Sequence, residues 1–373
     1  MEVSREQVIR HRIAAQQLDR EPDSGRASTD AAILDLGVQD SGRDGASWAL
    51  VNRGVPIASP QALATDDDLA LVWSLRVSPH YYRRSELVEV MTAISPFDDA
   101  DLNKRLIGAG KPLTEAGISP RDGLAEIARQ IRAVVSDPMV KGEVSTALTE
   151  RLADPYLREC RPCKAVHAWE STFRMAGLFG GLELEPNTSP PMLRRIPDWP
   201  LRPAGVASDP TVAPEHLQVV RAYLRLLGPA MPSEVAGFLD GAVSAIKQHW
   251  PEDATEVKVE GKKKWVLGDL LEPRPVVRLL GPYDLLGQGK DRELLVPDAD
   301  QRKQLWPILG RPGPVLANGE IVGWWRPRAK GKKLDLEVEL WRPTAVTKAD
   351  LGEQAERLAQ HRGLQLGSLN SAA

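Results

Sequence analysis

The segment TDAAILDLGVQDSGRDGASWALVNRG (29–54), followed by LALVWSL (69–75) and HYYRR (80–84), decides the fold. DAAILDLG predicts a short helix capped by Ser28 or Thr29 and stopped at Gly37, since Ser and Thr favour helix starts and Gly favours helix ends. VQDSGRDG is a turn, and GASWALVNRG predicts a further helix ending at Gly54. Two strands follow around Arg76–Pro79, and then a helix from Ser85 to Ile94. Upstream, residues 4–18 form an amphipathic helix, with Val8, Ile13 and Leu18 on the apolar side and Arg5, Arg10 and Arg12 on the polar side.

Three short helices and then a hairpin is the winged-helix order, a helix-turn-helix with a β wing. The order recurs twice. Residues 118–136, 140–152 and 165–182 predict three helices before the strands LELEP and PMLRRI, with Pro162 starting the third. Residues 214–228, 232–240 and 241–250 predict three more before the hairpin EVKVEGKKKWVLG. From about residue 272 the pattern becomes strand-like, in 276–287, RELLVP, 313–326 and LDLEVELWR. Asn318-Gly319 supplies a hairpin turn. Residues 298–309 predict a capped helix and 347–363 an amphipathic one, with SLNSAA frayed beyond it. The fold class is α+β, mostly α: three tandem winged-helix units, 1–112, 113–205 and 206–271, and a β-rich part over 272–373. The Pro-rich stretch 198–214 is the expected linker.

The 373 residues suffice for two or three units with a real core. Hydrophobic residues make up 42% and, with 30 glycines, bring the apolar share to about half, which excludes a largely disordered or fibrous chain. A formal net charge of -3 means that any nucleic-acid surface must come from local clustering. There is no basic n-region followed by an apolar h-region, and no apolar run approaches the ~18–20 residues that span a bilayer. The expectation is a soluble, cytoplasmic, monomeric protein that needs no cofactor and touches no membrane.

Basic residues gather at the predicted hairpin tips: Arg83 and Arg84; Lys262, Lys263 and Lys264; Arg326, Arg328, Lys330, Lys332 and Lys333. Such tips form a track for phosphates of double-stranded DNA, although solvated turns also collect lysine. Cys160, Cys163 and His167 form Cys-x2-Cys-x3-His with Glu170 one turn on. Structural zinc sites want four ligands, usually two pairs, and a second pair is absent. The reading is therefore no metal, with His167 facing outward from a recognition helix. No G-x-S-x-G, H-E-x-x-H, Walker loop or G-x-G-x-x-G opening a helix is present. That leaves the turn Gln39-Asp40-Ser41-Gly42. Asp40 or Ser41 can cap the next helix; alternatively Gln39 positions a water and Asp40 acts as base.

The blocks 34–54 with 71–84, 173–196 and 278–327 resemble the AlkZ-like DNA glycosylase family. The resemblance implies three winged helices stacked into a C-shaped molecule holding duplex DNA on its concave face. It also implies metal-free hydrolysis of the N-glycosidic bond of alkylated purines, including those in interstrand crosslinks. The family's catalytic motif is Gln, an apolar residue, then Gln or Asp, on a loop of the first winged helix. Gln39 matches its first position, Asp40 stands where the apolar residue does, and Ser41 replaces the second Gln or Asp. The expected function is a monofunctional DNA glycosylase of repair or self-resistance using Gln39 and Asp40. The alternative, favoured by the departed motif, is a non-catalytic DNA-binding or regulatory protein.

Overall fold

The computed structural model describes residues 1–200 and 209–372, so 201–208 of the expected linker lie outside the described residues. Leu69–Trp73 is a strand with every residue buried, as befits a central strand covered on both faces. It pairs antiparallel with Pro79–Arg83, from Leu69 opposite Arg83 to Trp73 opposite Pro79. Val38–Gln39 pairs with the outer edge of that hairpin, Val38 opposite Tyr81 and Gln39 opposite His80. Gly37 permits this entry. Its φ is +79°, and a Cβ there would lie 2.3 Å from the Tyr82 ring. On the inner side Leu71 meets Leu184. Strands Leu182–Leu184, Met192–Arg195 and Met139–Val140 then complete a six-stranded sheet shared by the first two expected units.

Helices cover this sheet. Pro120–Val134 starts on Ser119, whose hydroxyl accepts the Asp122 N–H, with Pro120 in its first turn. Its buried Leu124, Ile127, Ala128 and Ile131 recur at the spacing of one helix face and pack against the helix Glu170–Phe179. The third helical group comprises Val219–Leu227, Pro232–Leu239 and Val243–Gln248. It precedes the hairpin Thr255–Val259 and Lys262–Val266. The chain's own start completes that hairpin: Glu2–Val3 adds a parallel strand to Thr255–Val259. The following helix Arg5–Ala15, closed by a Ser4–Gln7 capping box, packs on Val219–Leu227. Residues 2–18, grouped by sequence with the first unit, therefore share a core with 257–266 and the C-terminal part.

The C-terminal part is a five-stranded sheet in the order Val277–Leu279, Gly313–Ala317, Glu320–Lys330, Lys333–Leu340 and Gln365–Ala372. The Asn318-Gly319 turn, with φ of 48° and 93°, joins the second and third strands as expected. Helix Lys348–His361 links the last two strands, which run parallel. No helix among the described residues is long and apolar enough to cross a membrane.

Several local expectations are corrected. Residues 32–35 form a 3-10 turn with Ala31 at its start, so neither Ser28 nor Thr29 caps it. RELLVP begins with the short helix Arg292–Leu295, because a four-residue apolar run carries no period. Of the expected frayed end SLNSAA, residues 368–372 belong instead to the strand Gln365–Ala372, held by backbone pairing to Lys333–Leu340, and residue 373 lies outside the described residues. Arg12 is fully buried rather than solvated. The helix expected over 165–182 starts only at Glu170, and Ala165–Ala168 is a strand paired with Leu157–Cys160.

Candidate active site

The Gln39-Asp40-Ser41 turn leaves the sheet edge and enters the helix Gly45–Val51. Asp40 N–H still donates to the Pro79 carbonyl at 2.9 Å, so the backbone is extended up to this point. Successive residues of an extended chain face opposite sides, and the contacts follow. Gln39 Oε1 accepts from Arg76 Nη2 at 3.2 Å. The Asp40 carboxylate instead accepts the Ala46 backbone N–H and lies near Tyr81. The N-cap of this helix is Asp44, without a side-chain cap bond, so the expectation that Asp40 or Ser41 caps it is corrected. Burial raises its pKa above the ordinary 3.8, the Ala46 N–H opposes this, and the Asp44 charge adds to the rise. A half-buried Ser41 sits beside Gly45, where a Cβ would meet its Oγ at 2.8 Å.

Arg76 was not singled out by sequence. It sits in the tight turn between the two strands with φ of 56°, and Val77 follows at 52°. A left-handed β-branched residue is strained, and such strain gathers at functional sites. The turn is tied to the third helical group. Arg76 donates to the Phe238 carbonyl at 3.2 Å and stacks 4.4 Å above the Phe238 ring. Its Nη2 also bonds Gln288 Oε1, so the turn at 287–290 serves to orient this guanidinium. Arg76 further lines a cleft with Trp73, Ser74, Phe179 and Asp240. His80, opposite Gln39, is likewise new. Its Nδ1 lies 2.9 Å from the Ser78 carbonyl and 3.1 Å from Ser74 Oγ. Burial and the nearby Arg76 charge push its pKa down to about 3, so it is neutral at pH 7.

The C-terminal part braces the loop from behind. Asp44 receives two hydrogen bonds from Arg362 at 2.6 and 3.0 Å, and Ser47 Oγ lies 2.8 Å from His361 Nε2. Trp48 Nε1 donates to the Leu279 carbonyl at 2.6 Å. Arg53 and Asp284, both fully buried, pair through two contacts of 2.8 and 2.9 Å. These links fix the helix that the loop enters.

The expected phosphate track divides. Arg83 binds Asp35, Glu86 and the Thr29 and Ala31 carbonyls. Arg84 binds Glu183 and the Asp67 and Leu69 carbonyls. Both are structural ties, a correction to their expected exposure at a wing. Lys264 is corrected too. It is 3% exposed, with Nζ 2.8 Å from Glu234 and 2.7 Å from Asp291. Lys262 and Lys263 are exposed, Lys263 beside Glu256. At the other tip Arg326, Arg328, Lys332 and Lys333 are exposed, with Arg328 paired to Glu337 at 2.7 Å. The Lys330 side chain lies outside the described residues.

Cys160, Cys163 and His167 occupy the hairpin of Leu157–Cys160 and Ala165–Ala168 rather than a helix, and it brings their ligand atoms together. Hydrogen bonds from the Cys163 backbone and thiol, and from His167, lower the Cys160 thiol to about 7. Glu170 is engaged by Lys141 and Arg174, each at 2.6 Å.

Residues 33–361 match the AlkZ-like DNA glycosylase family. The chain belongs to this family. Among solved structures it is similar to the Streptomyces sahachiroi DNA glycosylase AlkZ, with 21% identity, a TM-score of 0.70, and coverage of 99% of this chain and 100% of that one. At that identity the likeness speaks for the fold. Comparison with curated protein sequences finds no match.

Proposed function

We propose that this member of the AlkZ-like family is a monofunctional DNA glycosylase that removes alkylated purines from duplex DNA. In this reading its three helix-then-hairpin groups act as winged helices around the duplex. The observation that carries the proposal is the presentation of Gln39. With Arg76 donating to Oε1, the amide N–H groups are directed away from the guanidinium and one Oε1 lone pair remains. That amide can hold the attacking water. Asp40, next in the chain, has a carboxyl whose pKa is raised by burial, and a raised carboxylate is a stronger base near neutral pH. Water adds to C1′ as the C1′–N bond breaks. A cationic N7-alkylpurine leaves as the neutral base, and the water proton passes to Asp40. The leaving group needs no acid, so two side chains suffice.

One observation favours the non-catalytic reading: the Asp40 carboxylate already accepts the Ala46 N–H, and Ser41 cannot replace it as base. Single-turnover release of 7-methylguanine from duplex DNA separates the two. The glycosylase reading expects Gln39→Ala and Asp40→Asn each to slow release by about 100-fold or more, with duplex affinity within about twofold. If the wild-type chain binds duplex and releases no base, the binding reading replaces it.

A further inference from the structure

Cys160, Cys163 and His167 stand outside everything the glycosylase proposal uses. Register sets Cys160 opposite Ala165 and Arg158 opposite His167. Facing residues of an antiparallel pair share a face, so Cys160 and His167 are diagonal neighbours on one side of the ribbon. The connection 161–164 ends with Lys164 in the left-handed region, φ 51°. It returns Cys163 toward the strands, so that its backbone N–H bonds the Cys160 sulfur. The three ligand atoms all lie within 4.8 Å of one another. A tetrahedral zinc with Zn–S near 2.3 Å and Zn–N near 2.0 Å needs separations of about 3.5–3.8 Å, which small side-chain rotations supply. His167 Nδ1 lies 2.6 Å from the Ala168 carbonyl oxygen. A carbonyl only accepts, so Nδ1 carries a proton and Nε2 is the nitrogen left to ligate a metal. A ring fixed by a backbone carbonyl through its second nitrogen is how metal-binding histidines are oriented.

We propose that this hairpin tip binds a zinc-class divalent ion through the Cys160 and Cys163 thiolates and His167 Nε2. Two thiolates and an imidazole select a borderline or soft metal over magnesium or calcium. Among the described residues no other His, Cys, Asp or Glu joins the group, and Glu170 is held by Lys141 and Arg174. The fourth position therefore falls to water or an external donor. The bound ion fixes a four-residue connection that carries the exposed Arg161 and Lys164.

The test uses the full chain, reduced with a phosphine, stripped by chelator and titrated with cobalt(II), then zinc(II). One equivalent of cobalt should give thiolate-to-metal charge transfer and tetrahedral d–d bands, both abolished by one equivalent of zinc. Cys163→Ser, at an exposed position, and His167→Ala should each weaken binding by about 100-fold. Their metal-free melting curves should match that of the metal-free wild type, which separates ligand loss from misfolding. The proposal fails if reduced wild type shows no charge-transfer band at millimolar cobalt. It fails equally if both variants bind as tightly as wild type, or if Cys160 and Cys163 form only a disulfide.

Discussion

Lys264→Met should unfold the protein more readily and leave DNA binding alone. Lys264 lies in a closed group of two cations and two anions. Asp291 accepts from Arg12 at 3.0 and 2.7 Å and from Lys264 at 2.7 Å, while Glu234 accepts from Lys264 at 2.8 Å. Arg12 is fully buried and donates further to the Gly228 and Pro229 carbonyls. Burial works to raise the Asp291 pKa, but Arg12 and Lys264 outweigh it and hold this carboxyl far below the ordinary range. Burial and the Asp291 charge push Glu234 up, against the pull of Lys264. Methionine keeps the stem and removes the charge, leaving two carboxylates against one guanidinium. Breaking a buried pair from one side costs about 3–5 kcal/mol, a melting-point loss of roughly 4–6 °C for a chain of this size. The deficit should shrink as pH falls, because protonation of Glu234 removes the uncompensated charge. A phosphate contact would instead change the slope of log K against log salt by about 0.9. Thermal unfolding and salt-dependent duplex binding therefore read different quantities. Lys262→Ala with Lys263→Ala is the complement: stability within about 0.5 kcal/mol, and a slope reduced by up to about 1.8 if both touch phosphates. A Lys264→Met variant that melts like wild type while its slope falls by one unit would refute the buried-group argument.

The raised Asp40 pKa fixes two signs. The neutral carboxyl is favoured by the fold, so its stabilising contribution is present below the unfolded pKa and lost as pH rises through the folded one; Asp40→Asn should be the more heat-stable protein at pH 7. Base release should fall off on the acid side above the ordinary carboxylate value of 3.8, a limb that Asp40→Asn abolishes and that His80, at about 3, cannot supply. Arg76→Met should slow single-turnover release by about 10–100-fold, the worth of a charged hydrogen bond, with duplex affinity unchanged and partial rescue by Arg76→Lys; equal losses in rate and affinity would mean that Arg76 acts on DNA and not on Gln39. Ser41→Asp should speed release by about tenfold or more; an unchanged rate with intact binding would show that the third motif position is not limiting.

What was legible in the sequence was local. Ser119-Pro120 with an apolar face behind it, Asn318-Gly319 between two strands, and Asp298 ahead of the helix Ala299–Leu305 each fix their element through contacts within a few residues. What was not legible depended on distant partners. Arg12 and Lys264 look solvated by type, because Lys and Arg are almost never fully buried unless paired. Their carboxylate Asp291 is 279 and 27 residues away. Arg84 reads as a free wing cation until Glu183 arrives from the neighbouring hairpin. Pro162 reads as a helix start, yet Lys164 adopts the left-handed region and turns the chain back into a strand. The strand Gln365–Ala372 is polar enough to pass for a tail, with Leu366 and Leu369 packed against the core.

The motif has a physical reason for its spacing. Where a chain leaves a sheet edge still extended, positions one and three face together and position two faces inward. A pattern of polar, apolar, polar therefore presents two polar groups on one side of the loop and packs the middle residue behind it. In this chain Gln39 reaches Arg76 while Asp40 reaches Ala46 N–H and the vicinity of Tyr81, on the opposite side. Asp40 thus holds the middle position, where the motif expected from the resemblance has an apolar residue. It is tolerated because a helix start offers its carboxylate a donor, and the remaining desolvation appears as a raised pKa. The same burial that makes the carboxylate a stronger base also keeps it behind the loop. Base chemistry from that position requires the Ala46 hydrogen bond to open when DNA binds. An acid placed at position 41 offers the loop a second carboxylate, which is why the Ser41→Asp and Asp40→Asn variants together separate a relocated catalytic base from a carboxylate that only braces the helix start.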